Sequence, residues 1–237
     1  MAVLYNIFPL RDATGAPAGF ATVTRDLRES KRAEEARDLL IRELSHRIKN
    51  IFAVVGGIAA LTARSDPAAR PFAEAFRERL GALAQAHEYV RPHSPESAPA
   101  VEGQTVLGLM RLIMAAYVQE GRERVVIAGD DTPIGERTAT ALALIMHEQA
   151  TNAVKYGGLS REAGQVSLLG RAEGGHYDLT WAESGGPPIT QVPARRGFGT
   201  VLAERSVAGQ LDGTLEHDWA PGGLVMHLRV PLANLGF

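Results

Sequence analysis

One long helical pattern, from Arg25 to about Arg64, constrains the fold of this chain more than any other feature. The stretch is rich in charged residues and helix formers, and it runs unbroken until Ser65-Asp66-Pro67. Its apolar residues share one narrow stripe with coiled-coil spacing, namely Leu40, Leu44, Ile48, Ile51, Val55 and Ile58. A second helical pattern, Phe72 to Val90, follows directly. The first half of the chain therefore predicts an antiparallel helical hairpin.

Composition excludes several classes of function. The 237 residues are 45% hydrophobic and 22% charged, which suits one large or two small soluble domains. A net charge of −2 without a basic block gives no reason to expect nucleic acid as a partner, and the lack of cysteine excludes disulfides, thiol catalysis and cysteine-ligated metals. The longest apolar run, Ile51 to Ala63, is too short to span a membrane, and the N-terminus has no secretory pattern. We therefore expect a cytoplasmic protein without a membrane segment.

The chain divides into three parts by composition. Two short strands, Leu4 to Leu10 and Phe20 to Thr24, precede the hairpin, and a Pro/Ser/Ala linker, RPHSPESAPA, follows it. The second half mixes predicted helices (105–119, 136–156, 200–208) with mainly antiparallel strands (125–128, 165–171, 176–181, 213–219, 224–230). We therefore expect domains at 1–25, 26–95 and 96–237, the last with an α+β layer architecture.

His46 stands on the predicted long helix, about 200° from Leu44 and so on the side opposite the apolar stripe. Arg42, Arg47 and Lys49 make its surroundings net positive. A histidine is mostly neutral at pH 7 and can act as a nucleophile, and nearby cations attract a polyphosphate. The same pattern is also typical of the solvated face of a bundle helix. A nucleophilic histidine is favoured over a solvated surface histidine only if another part of the chain can bind a phosphate donor.

The stretch HEQATNAVKYGGLS, residues 147–160, places Glu148, Asn152 and Lys155 on one stripe of a predicted helix. At about 100° per residue, these offsets return to within roughly 40° of one another. A carboxylate, an amide oxygen and an ammonium together suit a hydrated Mg²⁺ and phosphate oxygens, although a solvated helix face has the same pattern. Gln149 projects toward the apolar side of this helix, where an amide needs a partner.

Two further stretches suit a nucleotide. WAESGG, residues 181–186, ends a predicted strand with a carboxylate, Glu183, that can accept a hydrogen bond from an exocyclic amine such as that of adenine. Its adjacent glycines let a base approach the backbone. GFGT, residues 197–200, opens the next predicted helix, whose first N–H groups suit phosphate. Neither stretch is a Walker loop or a GxGxxG motif, and each by itself is a weak signal.

Taken together, the motifs resemble those of the HWE-type sensor histidine kinases, a family named for an N-box histidine and a Trp-x-Glu. Here those residues are His147, Trp181 and Glu183. ELSHRIKN is followed about a hundred positions later by HEQATNAVKYGGLS, then by WAE and GFGT, over roughly residues 37–232. This order and spacing is far more specific than any one motif. Residues 1–25 resemble the last two strands of a PAS domain, with RDLRESKRAEEA as the junction to the hairpin.

The resemblance implies a phosphoacceptor hairpin joined to a Bergerat-type α/β sandwich that binds ATP and Mg²⁺. It implies His46 as the phosphorylated residue and Asn152 as a Mg²⁺ ligand. Glu148 stands beside Asn152 as a second metal-ligand candidate and as a polarising or general-base group. Around the nucleotide it implies contacts from Lys155, Tyr156, Glu183, Gly185, Gly197, Gly199 and Thr200. Arg195 and Arg196, on the short lid, could also reach the phosphates.

The sequence departs from the family pattern at two positions. Gln149 stands where the family usually has leucine, and Arg47 stands where many ordinary histidine kinases have an acid directly after the histidine. The proton acceptor for His46 is therefore open, with Glu43 and Glu148 as candidates. Asn50, four residues after His46, could orient water for dephosphorylation of a regulator.

The resulting expectation is an ATP-dependent protein-histidine kinase. His46 would attack the γ-phosphorus, and the phosphoryl group would pass to an aspartate on a response-regulator receiver domain. Two other functions stay open: a catalytically silent phosphotransfer and docking scaffold, and an ATPase or serine kinase of the anti-sigma type. The hairpin is expected to pair into a four-helix homodimer, with parallel and monomeric arrangements left open.

Overall fold

The computed structural model describes residues 3–90, 104–117, 124–192 and 198–236. The chain forms two compact units, residues 1–48 and 49–237. Within the described ranges, none of the helices combines the length and the apolar character that a membrane crossing requires. Gly197, Arg195 and Arg196, which the sequence assigns to phosphate, lie outside the described residues.

The first unit begins with an antiparallel hairpin of β1 (Val3–Arg11) and β2 (Pro17–Asp26). Its turn is closed by Asp12, whose carboxylate accepts hydrogen bonds from the backbone N–H groups of Thr14 (2.8 Å) and Ala16 (3.1 Å). The two strands expected here are confirmed, and both are longer than the sequence pattern predicts. They are followed by the long helix α1 (Arg28–Ser65), which continues into the second unit.

In the second unit, the end of α1 runs antiparallel to α2 (Arg70–Tyr89). Lys49 Nζ lies 2.6 Å from Glu88 Oε2 at one end of this pair, and Gly56 faces Leu80 further along. Asp66 caps the 3₁₀ turn between the helices by accepting a hydrogen bond from Ala68 N. The predicted helical hairpin is thus confirmed.

The remaining helices are α3 (Val106–Met114), α4 (Glu136–Lys155) and α5 (Phe198–Ser206). Thr105 is the N-cap of α3, where its hydroxyl accepts a hydrogen bond from Gly108 N at 3.2 Å. Helix α3 gives way to a 3₁₀ turn after Met114, earlier than the sequence pattern predicts. Helix α5 begins at Phe198, slightly before the predicted start, and passes into a π-helical turn, Val207–Leu211.

A five-stranded mixed sheet supports these helices. Its strands are β3 (Val125–Gly129), β4 (Gln165–Glu173), β5 (His176–Ser184), β6 (Thr214–Ala220) and β7 (Gly223–Pro231). They lie in the order β3-β4-β5-β7-β6, and only β3 and β4 pair in parallel. Buried and exposed positions alternate along β4 and β5, so one face of the sheet packs into the core. The expected α+β architecture is confirmed.

Helix α4 lies at the centre of this unit. Ile145, Met146 and Ala150 are fully buried and join the same apolar core as Trp181 and Met226 of the sheet. Helix α2 packs along another side of α4, where the small side chains of Ala82 and Ala86 are buried. His87 Nδ1 of α2 lies 2.9 Å from Glu136 Oε1 at the beginning of α4. The helix that carries the N-box motif is therefore held between α2 and the sheet.

Candidate functional site

The C-terminal end of α4 forms one wall of the candidate site. The helix ends at Lys155, and Gly157 N donates to the carbonyls of Asn152 and Ala153, both at 3.1 Å. A Cβ on Gly157 would overlap the carboxylate of Glu183. The Gly-Gly sequence after the helix therefore allows the backbone to approach this carboxylate closely.

Glu183 is a buried carboxylate, with 7% of its surface exposed. Its Oε2 accepts a hydrogen bond from Gly158 N at 2.7 Å, and its Oε1 accepts one from the indole Nε1 of Trp181 at 3.1 Å. Burial raises the pKa of Glu183, although the hydrogen bonds from Gly158 and Trp181 oppose this shift. Trp181 is fully buried, so the Trp-x-Glu motif holds a carboxylate at a fixed position in the core.

A cavity of about 780 Å³ opens beside Glu183, within the size range of nucleotide-sized ligand sites. Among the described residues predicted to contact nucleotide, four line it, namely Asn152, Tyr156, Glu183 and Thr200. Gly157, Gly158 and Gly186 contribute backbone to its wall, and Pro187 to Val192 of the loop after β5 cover part of it. The cavity thus brings a carboxylate, an amide and a helix N-terminus around one space.

Other predicted residues stand beside this cavity rather than on its described wall. Lys155 is exposed at the end of α4. Gly185 takes a left-handed φ of +68° in the turn after β5, where glycine is favoured, and Gly186 contacts the cavity in its place. Gly199 is buried against Glu148, whose carboxylate a Cβ at Gly199 would overlap.

Glu148 is paired with an arginine that the sequence did not single out. Arg79 Nε of α2 donates to Glu148 Oε1 at 2.5 Å, and the side chains are only 20% and 14% exposed. This guanidinium, together with the backbone of Gly199, surrounds the carboxylate. The pairing explains why Glu148 does not face the cavity, and no motif in the sequence distinguished Arg79 from other charged residues of its helix.

His46 is exposed on α1, as its position opposite the apolar stripe predicts. Arg47 and Glu43, one helical turn apart, form an ion pair at 2.6 Å. Glu43, one candidate acceptor for the His46 proton, therefore has a cationic partner. Asn50 is also exposed.

The N-box histidine, His147, lies on α4 and is not among the described residues that line the cavity. Tyr117 Oη is 3.2 Å from His147 Nδ1 and 3.5 Å from the hydroxyl of Thr151. Burial lowers the pKa of His147, which favours the neutral ring. This histidine therefore fastens α4 to the turn after α3.

Strand β6 supplies cavity residues that the motif search missed. Leu215, His217 and Trp219 alternate along the strand and line the cavity. His217 Nε2 also lies 3.1 Å from Nε2 of Gln149, which gives the unexplained buried amide a partner. In the sequence TLEHDWA these three residues occupy alternate positions, a pattern that predicts that they share one face of the strand.

The donor set fits a hydrated Mg²⁺ bound with phosphates. The described parts of the chain hold no cluster of three or more His, Asp or Glu residues suited to a metal. Mg²⁺ does not need one, since it commonly keeps waters and takes its other ligands from substrate phosphates and one or two protein oxygens. The amide of Asn152, on the cavity wall, can supply such an oxygen.

Comparison with known proteins identifies the family. Residues 43–131 match the family model of the HWE histidine kinases. Blue-light-activated histidine kinase 1 of Erythrobacter litoralis is 37% identical over 209 residues, which cover 87% of this chain and 57% of that protein. This chain belongs to the HWE histidine kinase family. A blue-light-activated histidine kinase of Brucella anthropi is 35% identical over 211 residues, which cover 87% of this chain and 42% of that protein.

This HWE histidine kinase chain spans about half the length of the curated relatives it matches. Its fold is similar to a solved histidine kinase domain from Erythrobacter litoralis EL346 blue-light activated histidine kinase, with a TM-score of 0.53 and 21% sequence identity. That likeness covers 84% of this chain and 96% of the solved one. In the Trp-x-Glu motif of this chain, Trp181 and Glu183 are joined by a hydrogen bond beside the cavity.

We expect Glu183→Gln to change the pH dependence of unfolding. Because folding raises the pKa of this carboxyl, the folded chain binds its proton more tightly than the unfolded chain. The resulting stabilisation is present below the ordinary glutamate pKa of about 4.3 and is lost as pH rises through the raised pKa. Urea unfolding at a series of pH values should show wild-type stability falling relative to Glu183→Gln across that window. Parallel curves for the two proteins would contradict this expectation.

We also expect Arg79 and Glu148 to be energetically coupled. Removing either partner leaves the other charge largely buried and unpaired, so the losses from Arg79→Ala and Glu148→Ala should not add. A double-mutant cycle of urea unfolding should give a coupling of about 1–3 kcal/mol. The control is the more exposed pair Arg229 and Asp178, 3.7 Å apart, which should couple by less than about 1 kcal/mol. Additive losses at Arg79 and Glu148 would show that the pair contributes nothing.

Proposed function

We propose that this chain is the kinase module of a sensor histidine kinase. It autophosphorylates on His46 with Mg²⁺-ATP and passes the phosphoryl group to an aspartate on a response-regulator receiver domain. The observation that carries the proposal is the cavity with a buried carboxylate, Glu183, and an amide, Asn152, on its wall. Membership of the HWE histidine kinase family supports the same activity.

The cavity residues divide between the two ends of a nucleotide. Glu183 accepts a hydrogen bond from the exocyclic amine of adenine, because each carboxylate oxygen keeps acceptor capacity beyond the bond it already accepts. Asn152 and Thr200 face the phosphates, the latter from the first turn of α5. When bound, Mg²⁺ would neutralise charge on the phosphates. Lys155 and Gly197 complete the proposed phosphate contacts.

The reaction at His46 is an in-line displacement. A neutral imidazole nitrogen attacks the γ-phosphorus, and the N–P bond forms as the bond from this phosphorus to the bridging oxygen breaks. ADP leaves with that electron pair, and the other ring nitrogen gives its proton to a base. In the second transfer, a carboxylate oxygen of the regulator attacks the phosphorus and the N–P bond breaks. Asn50 is proposed to orient water when a phosphorylated regulator is hydrolysed.

The two acceptor candidates for the His46 proton are both engaged. Glu43 pairs with Arg47, and Glu148 pairs with Arg79. The acceptor for the His46 proton therefore stays open between two carboxylates that each have a cationic partner.

The same ion pair favours one other function, a silent phosphotransfer and docking scaffold. In the arrangement described, Glu148 binds Arg79 and does not line the cavity. A chain fixed in that state would bind ATP without transferring phosphate. Asn152 and Glu183 on the cavity wall suit both functions, because both bind ATP.

Incubation with γ-labelled Mg²⁺-ATP tests the proposed activity. We expect a base-stable, acid-labile label on the wild-type chain and its loss in His46→Ala. Asn152→Ala should also abolish the label, because the amide oxygen proposed for the phosphate end of the nucleotide is removed. His227→Ala, which changes an exposed histidine of β7, should leave the label at the wild-type level.

Each alternative gives its own result in this assay. ATP binding without label supports the docking scaffold. ATP hydrolysis that is unchanged in His46→Ala supports an ATPase or serine kinase of the anti-sigma type. Label that persists in His46→Ala contradicts the assignment of the acceptor.

We further propose that the chain pairs into a homodimer through the hairpin. The apolar stripe of α1 is largely uncovered within one chain, since Leu40, Leu44, Ile51 and Ile58 are 58–60% exposed. A seam of this spacing is buried when a second helical hairpin packs against it. We propose the same three domains as the sequence predicts: PAS strands at 1–25, a phosphoacceptor hairpin at 26–95 and an ATP-binding domain at 96–237.

Light scattering on the purified chain tests the dimer. We expect a mass of about twice 25.4 kDa and its reduction to one chain in Leu44→Glu, which places a charge in the seam. Leu39→Glu is the matched control, because Leu39 is similarly exposed but lies about 140° from Leu44 on the helix. A wild-type mass of one chain would contradict the dimer.

A further inference from the structure

Gln149 is a polar residue in an apolar place, and it carries an unmet hydrogen-bonding group. It is 4% exposed on α4, next to the fully buried Ala150. Its Oε1 accepts no hydrogen bond from the described residues. A leucine of similar size would avoid the cost of this buried acceptor. The contact made by the other amide atom, Nε2, therefore accounts for a glutamine at this position.

The other amide atom holds a histidine on the cavity wall. Gln149 Nε2 lies 3.1 Å from His217 Nε2. Because an amide nitrogen donates, this contact favours the tautomer in which His217 Nε2 accepts, and it fixes the orientation of the ring. Trp219 supports the ring from the neighbouring position on the same face of β6, with ring centroids 6.1 Å apart and planes inclined by 16°. Two contacts thus orient a side chain that lines the cavity.

The register of the sheet places His217 away from the carboxylate end of the cavity. His217 pairs with Met226 of β7, and Met226 pairs with Trp181 of β5. Two strand spacings, about 10 Å, therefore separate His217 from Trp181, whose indole binds Glu183. On the helix side, Gln149 lies one turn before Asn152, so the two side chains are neighbours. His217 consequently lies across the cavity from the proposed adenine contact and close to the proposed phosphate contact.

We propose that His217, positioned by Gln149, contacts the ribose of bound ATP. The ribose joins the base to the phosphates, and its two hydroxyl groups can each donate and accept hydrogen bonds with an imidazole. This inference rests on the proposed function of the cavity as the ATP site. It makes His217 a nucleotide-binding residue and Gln149 a positioning residue that acts through it.

Titration calorimetry with ATP and with 2′,3′-dideoxy-ATP, both with Mg²⁺, tests this contact. Because the dideoxy nucleotide lacks both hydroxyls, wild-type should bind it about three- to tenfold more weakly than ATP, the range expected for a neutral hydrogen bond. His217→Ala should weaken ATP binding to the same extent and leave the dideoxy nucleotide unchanged, so that the preference disappears. His227→Ala, on the same sheet but exposed, should keep the wild-type preference.

Gln149→Leu separates positioning from a structural role. We expect this variant to lose most of the preference for ATP, because His217 is no longer held. Its urea midpoint should stay at the wild-type value or rise, because the buried acceptor is gone. A lower midpoint with an intact preference would instead make Gln149 structural and would overturn its positioning role.

The results also distinguish this inference from the proposed function. If the wild-type chain binds no ATP, the nucleotide site and the ribose contact are both wrong. If it binds ATP and labels His46, but His217→Ala keeps the preference over the dideoxy nucleotide, only the ribose contact is wrong.

Discussion

The buried carboxylate of Glu183 fixes the geometry on which the candidate site depends. A carboxylate in an apolar core is costly unless it is hydrogen-bonded, and here the indole of Trp181 and the N–H of Gly158 meet that need. These two bonds join β5 to the loop after α4. The backbone can come this close only because Gly157 has no side chain to overlap the carboxylate. The end of α4 and the carboxylate of Glu183 meet at this junction, and both form part of the cavity wall.

Helix α4 also contacts two other elements, strand β6 and helix α2. Towards the sheet, Gln149 holds His217 of β6, and towards the hairpin, Glu148 binds Arg79 of α2. Neighbouring residues of one helix therefore connect the cavity wall with the second helix of the hairpin. A movement of α2 relative to α4 would change the state of Glu148, because the guanidinium and the carboxylate are mostly shielded from water and are held by each other.

Sequence patterns predicted the elements well where they repeat over many residues. The long stripe on α1, the alternation in β5 and the Gly-Gly stop of α4 each gave the correct type of element, and four proposed nucleotide residues do line one cavity. The sequence patterns did not predict a role for Arg79, because charged residues are common on hairpin helices. Its partner Glu148 lies on a distant segment of the chain. The partner of Gln149 was missed for the same reason, since His217 lies 68 residues further along the chain.

The sequence by itself determined the family, the order of helices and strands, and the residues that carry the four motifs, because these depend on local spacing and residue type. Only the tertiary structure decided which of the motif residues share a space. Glu148 and Asn152 lie on one stripe of α4, yet Arg79 binds the first and the second lines the cavity. Helical spacing sets the direction in which a side chain points, whereas its contacts depend on which distant segments pack in front of it.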